Sequence, residues 1–352
     1  MIVYAGIDEA GYGPLFGPMV IGRAALALPD DWDSIPQDNP SENPKDNSDA
    51  QPAQPRDCLW SRLDDALCKT LSGRRGRIAV NDSKKLHSKA SGVTHLERGV
   101  LAFVGQIGQA GKNPTTVDQW LELLGETTHR QLGDLPWYAP TTEHPWQNLP
   151  RRCTEGEIAI ARSMLSASLK RCNVKVLDMG AAVVFENRFN KMVNATRSKA
   201  STAFTFVSGH LLHIWKHYGL ENPTVIVDRQ SARMRYREPL AISFPRTQIR
   251  IVSESSHTSA YHLTDPDDPK RTMTISFQVE ADSRHMPVAL ASMIAKYTRE
   301  ILMARFGQWF SQKAPEIKPT AGYGTDGKRF WEQIQPQLAR LSIKPQQLRR
   351  AR

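Results

Sequence analysis

"GIDEAGYGPLFGP", Gly6 to Pro18, sets an aspartate and a glutamate, Asp8 and Glu9, just beyond the apolar run "MIVYA" and follows them with three glycines and two prolines. The apolar run predicts a buried strand over residues 1–7. The next apolar stretch, "MVIGRAALAL" at 19–28, predicts a second strand, joined to the first through a Gly/Pro turn as a hairpin. Neighbouring residues of a strand point to opposite faces. Asp8 and Glu9 are therefore expected to share one site only if the backbone turns immediately after Asp8, and Gly11, Gly13 and Gly17 allow that turn. Bare glycine backbone also lets N–H groups approach a phosphate or a sugar closely.

Outward from this stretch, "VKVLDMGAAVVF" (174–185) predicts a third strand, and Glu186 to Tyr218 is long enough for one or two helices. "PTVIVD" (223–228) is a compact β-branched run closed by Asp228. "TISFQVEAD" (274–282) alternates Ile275, Phe277, Val279 and Ala281 on one face and ends in Asp282. Pro287 suits a first helical turn, and Leu290, Met293, Ile294, Tyr297 and Ile301 then recur at helical spacing. This order predicts a mixed sheet, antiparallel at first and parallel later, covered by helices.

Three of the predicted strands thus end in acids. Any one alone reads as a solvated turn former. Asp8, Glu9, Asp228 and Asp282 converging from neighbouring strand ends would instead form an all-oxygen site for hard divalent ions such as Mg²⁺ or Mn²⁺. Two such ions clamp the attacking and leaving oxygens of a phosphoryl displacement, which is phosphodiester hydrolysis.

The chain has 352 residues and a net charge of +10, unevenly spread: residues 30–57 carry −6, leaving +16 for the remainder. That excess suits a polyanionic partner. Residues 29–57, rich in Pro, Asp, Asn, Ser and Gln, read as a disordered insertion, and the proline-rich stretch 134–152 as part of a second insertion. No run approaches 18 apolar residues and no secretory leader is apparent, so the expectation is a cytoplasmic protein without a membrane partner. Cys58, Cys68, Cys153 and Cys172 have neither metal-ligand nor disulfide-framework spacing.

The segments carrying these acids are similar to the motifs of the type 2 ribonucleases H, ribonuclease HII and HIII. "GIDEAGYGPLFGPMV" resembles their opening signature, "NDSKKL" (Asn81–Leu86) their second motif, and "VIVD" (225–228) the strand with their third acid. "ADSRHMPVALASMIAKYTRE" (281–300) resembles the segment in which their fourth acid precedes a helix, and "GYGT" (Gly322–Thr325) their C-terminal motif, all in the family's order. The resemblance implies an α/β, ribonuclease H-like, mixed five-stranded sheet flanked by helices, with C-terminal helices, in a single catalytic domain over 1–352. Residues 29–57 and 95–172 would be additions to it, and 300–352 a helical part that contacts substrate.

The activity it implies is cleavage of the RNA strand of RNA–DNA hybrids, or cleavage 5′ to a ribonucleotide embedded in duplex DNA, leaving 3′-hydroxyl and 5′-phosphate ends. Carried over by position, Asp8, Glu9, Asp228 and Asp282 would bind two Mg²⁺ or Mn²⁺ ions. Gly11, Tyr12, Gly13, Ser83, Lys84 and Lys85 would contact substrate, and Tyr323 would pack against the nucleotide at the cut, in a protein that works as a monomer. Two positions depart from the pattern: Tyr12 replaces the usual arginine of Gly-Arg-Gly, and Arg229 replaces the usual glycine after the third acid. Arg229 standing where a metal would sit defines the competing reading, a hybrid-binding protein without catalysis.

Other residues read more plainly. His210, His213 and His217 lie on one helical face with no acid or cysteine close in sequence, and are expected to be solvated or packed. Lys296 reads as a surface lysine and His285 as incidental. The basic clusters "SGRRGR" (72–77) and "QQLRRAR" (346–352) would extend a phosphate track if nucleic acid binds.

Overall fold

A computed structural model describes residues 1–30, 32, 58–71, 76–88, 90–107, 113–125, 135–139, 147–229 and 233–351. The strands are β1 (Ile2–Ala10), β2 (Met19–Leu28), β3 (Leu67–Cys68), β4 (Ile78–Ala79), β5 (Lys175–Val184), β6 (Thr224–Asp228), β7 (Gln248–Glu254), β8 (Thr258–Thr264) and β9 (Thr272–Gln278). The helices are α1 (Leu59–Arg62), α2 (Ser83–Leu86), α3 (Thr94–Val104), α4 (Val117–Leu123), α5 (Glu155–Arg171), α6 (Glu186–Thr196), α7 (Lys199–Tyr218), α8 (Arg237–Ser243), α9 (Met286–Lys313), α10 (Gly324–Ile334) and α11 (Pro345–Leu348).

The expected mixed sheet is present. Five adjacent strands run in the order β5-β2-β1-β6-β9: β1, β2 and β5 pair antiparallel, and β6 and β9 join parallel to β1. Two further strands, β8 and β7, extend the β9 edge antiparallel and make the sheet seven-stranded. Their sequences, "TSAYHLT" and "QIRIVSE", are short and half polar, and β7 is exposed on both faces, so burial imposes little pattern on it.

Alternation along β1 divides the core. Tyr4 and Ala10 face one hydrophobic cluster, built on α9 and α3, while Ala5 and Ile7 face the other, built on α7. Helix α9 lies directly on the sheet because two strand residues lack side chains: a Cβ on Gly6 would come within 2.2 Å of the Pro287 backbone, and one on Gly22 within 2.2 Å of the Ala291 carbonyl oxygen. That approach seats the N-terminal half of α9 beside Asp8. Among the described residues no helix is long and apolar enough to cross a membrane.

Of the segment 29–57, only Pro29, Asp30 and Trp32 are among the described residues; the predicted insertion otherwise lies outside them. Within 95–172 the described parts include α3, α4 and α5, and α5 starts with a capping box in which Thr154 and Glu157 satisfy each other's backbone N–H groups.

Candidate active site

β1 does not turn after Asp8. It stays paired with β2 through Ala10↔Val20, and the chain turns at Gly11, whose φ of +80° lies in the left-handed region that suits glycine. Gly13, by contrast, has open space where a Cβ would sit and no positive φ. Asp8 therefore lies on the α9 face of the sheet and Glu9 on the other, where its charge adds to the burial that raises the hydroxyl pKa values of Tyr12 and Tyr236. The two acids remain electrostatic neighbours, and the Glu9 N–H donates to Asp8 Oδ1 at 2.6 Å.

Asp8 is buried, only 6% exposed. Burial first, then the charges of Glu9 and Asp228, hold its carboxyl well above the usual carboxylate range. A hydrogen bond from Ser292 on α9 opposes that shift, and Asp282 adds to it. Asp228, the last residue of β6, is pushed up to about 6 by burial and by Asp282, against the Ala281 N–H that it accepts at 2.8 Å. Asp282 sits four residues beyond the end of β9, in the one-turn helix Ala281–Ser283 that precedes α9. Val279 falls outside the strand and is exposed, which ends the alternation expected through Ala281. Asp282 is raised by burial and by Asp82, with which it shares a hydrogen bond, while Lys84 and Lys85 oppose the shift.

Sequence reasoning missed Asp82. It caps α2, accepting the Lys84 N–H at 2.9 Å, and so adds a fifth carboxylate to the group. "NDSKKL" therefore supplies an acid as well as two lysines at this end of the sheet. Ser83 faces inward: its buried Oγ lies within hydrogen-bond distance of Ser292 Oγ, at 3.1 Å, so Ser83, Ser292 and Asp8 form a chain of contacts. Lys84 and Lys85 are exposed.

Each of Asp8, Asp228 and Asp282 is disfavoured as an anion partly by its carboxylate neighbours, the condition that hard cations relieve. Among the described residues, however, no three His, Cys, Asp or Glu side chains are drawn close enough to form a complete cage. An ion bound here would have to take most of its ligands from water or substrate oxygen.

Tyr323 is 41% exposed, in a loop tied to the Gly11–Gly17 loop by the Leu15 N–H donating to the Gly322 carbonyl at 2.8 Å. Arg299 of α9 links the same two loops. It donates to the carbonyls of Phe16 (3.1 Å) and Ala321 (3.2 Å) and lies 4.7 Å from the Tyr323 ring centroid.

Several residues lie where the sequence did not indicate. The Arg229 guanidinium turns from the acids to the carbonyls of Arg233 (2.7 Å), Ser255 (3.4 Å) and Ser256. An acid does stand beside the histidines: Asp178 of β5 is 3.1 Å from His213 Nε2 and 2.6 Å from Arg23 Nε, while buried His210 contacts Arg23 and the Ile21 carbonyl. With a guanidinium inside it, this is an ion-pair cluster, and burial holds His210 down at about 3. His285 is buried between Tyr4 OH (2.5 Å) and Gln278 Oε1 (2.7 Å) and depressed to about 3 by burial, so it is a neutral structural contact at physiological pH. Lys296 pairs with Glu300 at 2.6 Å. Residues 72–75 of the first basic cluster lie outside the described residues. In the second, Arg349 is half-buried and stacks over Trp331, while Arg350 is buried and does not extend a surface track as expected.

No family model and no curated protein matches the chain. Among solved structures, the chain is similar to ribonuclease HII of Archaeoglobus fulgidus, solved in a complex with PCNA, at 14% identity over 100% of this chain and 95% of that one, with a TM-score of 0.39. It is also similar to Bst-RNase HIII in complex with Mn²⁺, at 12% identity over 99% and 66% with a TM-score of 0.40, and to ribonuclease H2 of Pyrococcus horikoshii OT3, at 15% identity over 99% and 92% with a TM-score of 0.36.

Proposed function

We propose that the protein is a divalent-metal-dependent endoribonuclease acting on the RNA strand of RNA–DNA hybrids, or 5′ to ribonucleotides embedded in DNA, and leaving 3′-hydroxyl and 5′-phosphate ends. The observation that carries this reading is the mutual destabilisation of Asp8, Asp228 and Asp282 as anions at one end of the parallel strands, with Lys84 and Lys85 beside them. Acids crowded together and flanked by exposed lysines suit cations and a polyanion meeting at one place.

Asp8, Asp228 and Asp282 would hold the ions, and Glu9, on the opposite face at the end of β1, would add its charge to the same site. When bound, two such ions help deprotonate the attacking water and stabilise the departing 3′ oxygen. The chain's own groups do the rest. Ser292 orients the Asp8 carboxylate and the Ala281 N–H orients Asp228, while Asp82 adds a further negative charge beside Asp282. Lys84 and Lys85 neutralise backbone phosphates, the Gly11–Gly13 loop presents N–H groups to the substrate backbone, and Tyr323 packs on a sugar or base next to the cut. The competing reading, in which Arg229 replaces a metal, is disfavoured because that guanidinium is committed to three backbone carbonyls.

The test uses two labelled duplexes, an RNA–DNA hybrid and DNA with one ribonucleotide, each incubated with Mg²⁺, Mn²⁺ or EDTA. Cleavage of either with metal and none in EDTA is expected. Binding of the hybrid without any cleavage would establish the competing reading instead.

A further inference from the structure

The Gly11–Gly17 loop has an open outer side and a fully engaged inner side. Gly13 is exposed with nothing near the position of a Cβ. Beneath the loop lies Arg350, only 2% exposed although almost 340 residues away in sequence. Its guanidinium donates to the carbonyls of Gly11 and of Tyr12 (2.9 Å), and its backbone N–H donates to the Leu15 carbonyl at 2.9 Å. At the far end of the loop, buried Glu186 accepts the Gly17 N–H at 2.9 Å and the Tyr138 hydroxyl at 2.7 Å.

The segment carrying Arg350 is itself anchored. Asn190 donates to the carbonyls of Gln346 and Arg349, both at 2.8 Å, and accepts the Ala351 N–H at 2.6 Å. The Arg350 guanidinium sits 3.9 Å from the Phe189 ring centroid. Burying a cation is costly unless its donors are matched and a counter-charge is near; here carbonyls take both terminal guanidinium nitrogens and Glu186 is the nearby acid, while Nε has no hydrogen-bond partner.

Peptide planarity gives this arrangement a consequence on the outer side. In a trans peptide the C=O of one residue and the N–H of the next point in opposite directions. The only cis peptide among the described residues is Leu149–Pro150. Fixing the Gly11 and Tyr12 carbonyls toward Arg350 therefore turns the N–H groups of Tyr12 and Gly13 the other way, to the open side of the loop.

We propose that Arg350 is a positioning residue for substrate: by gripping the carbonyls of Gly11 and Tyr12 from below, it presents the N–H groups of Tyr12 and Gly13 to oxygens of the nucleic-acid backbone. The proposal rests on the ribonuclease reading for the identity of the ligand. Lysine at 350 keeps the charge and the burial but loses the fork that reaches two carbonyls at once, so it is the informative replacement. Arg349→Ala, in the same segment but stacked on Trp331, is the control.

The experiment measures kcat and KM on a labelled RNA–DNA hybrid for wild type, Arg350→Lys, Arg350→Ala and Arg349→Ala. It adds hybrid Kd for the same changes in an Asp8→Asn background, and amide exchange over residues 11–17. Arg350→Lys is expected to raise KM and Kd about tenfold, the scale of one lost charge-assisted hydrogen bond, with kcat within about twofold and faster exchange at Leu15 and Gly17, whose N–H groups are hydrogen-bonded in the loop. Arg350→Ala, where it folds, goes further, and Arg349→Ala leaves all of these near wild type. A folded Arg350→Lys with unchanged KM, Kd and exchange overturns the proposal. Wild-type protein that neither binds nor cleaves hybrid overturns the ribonuclease reading instead; loop exchange then still decides whether Arg350 holds the loop.

Discussion

Asp228 Oδ1 accepts the Ala281 backbone N–H at 2.8 Å, so the acid that ends β6 is tied directly to the turn that presents Asp282. The two carboxylates lie at and just beyond the ends of strands paired in parallel, Asp228 opposite Gln278, and that bond joins them across the strand ends. Replacing Asp228 by alanine should release the turn as well as delete a carboxylate. Asp228→Asn, which keeps an acceptor for the Ala281 N–H, is therefore the cleaner test of charge.

Asp8→Asn should abolish metal-dependent cleavage, by at least about 100-fold, because a ligand to ions that stabilise the transition state by several kcal/mol is lost. Hybrid binding should persist. Single-turnover assays and a fluorescence-anisotropy titration separate the two, and unchanged turnover would remove Asp8 from the mechanism.

Lys84→Ala with Lys85→Ala should weaken hybrid binding and flatten its salt dependence. Each lost phosphate contact lowers the slope of log K against log[salt] by about 0.7–0.9, so the pair predicts a drop of about 1.4–1.8. Titrations between about 50 and 200 mM salt read this directly. A parallel shift with no change of slope would mean that neither lysine meets a phosphate.

Gly22→Ala should destabilise the fold by about 1–3 kcal/mol, the usual cost of overpacking, because the new Cβ meets a backbone oxygen of α9 that cannot swing aside. The urea midpoint should fall, and activity per folded molecule should fall with it as Ser292 moves from Asp8. A wild-type midpoint would show that α9 can lift from the sheet freely.

Glu186 predicts a pH dependence of stability. Burial raises its carboxyl to about 7, whereas the unfolded chain ionises it near 4.3, so between those values the folded state binds more protons and stability falls as pH rises. Glu186→Gln removes this contribution, about 3 kcal/mol across the window, so the gap in urea stability between variant and wild type should shift in the variant's favour from pH 4.5 to 7.5. Parallel pH profiles for the two proteins would place the Glu186 titration elsewhere.

The order of strands and helices was legible because burial writes itself into sequence: "MIVYA", "PTVIVD" and the Leu290–Ile301 spacing each meet a core on a fixed face. The acids were legible as residues for the same reason, since a carboxylate at the edge of an apolar run stands out. Sequence alone did not reveal β7, whose exposed positions carry little pattern, or β8, whose buried face Ser259, Tyr261 and Leu263 starts with a polar residue, or the true ends of β1 and β9. Nor did it reveal the partners that reach a site from far along the chain. Asp82 beside Asp282, Ser292 beside Asp8 and Arg350 beneath Gly11 are pairings between segments that local preference does not link. Local periodicity reports which side of an element is buried, and only the packed structure decides which distant group it is buried against.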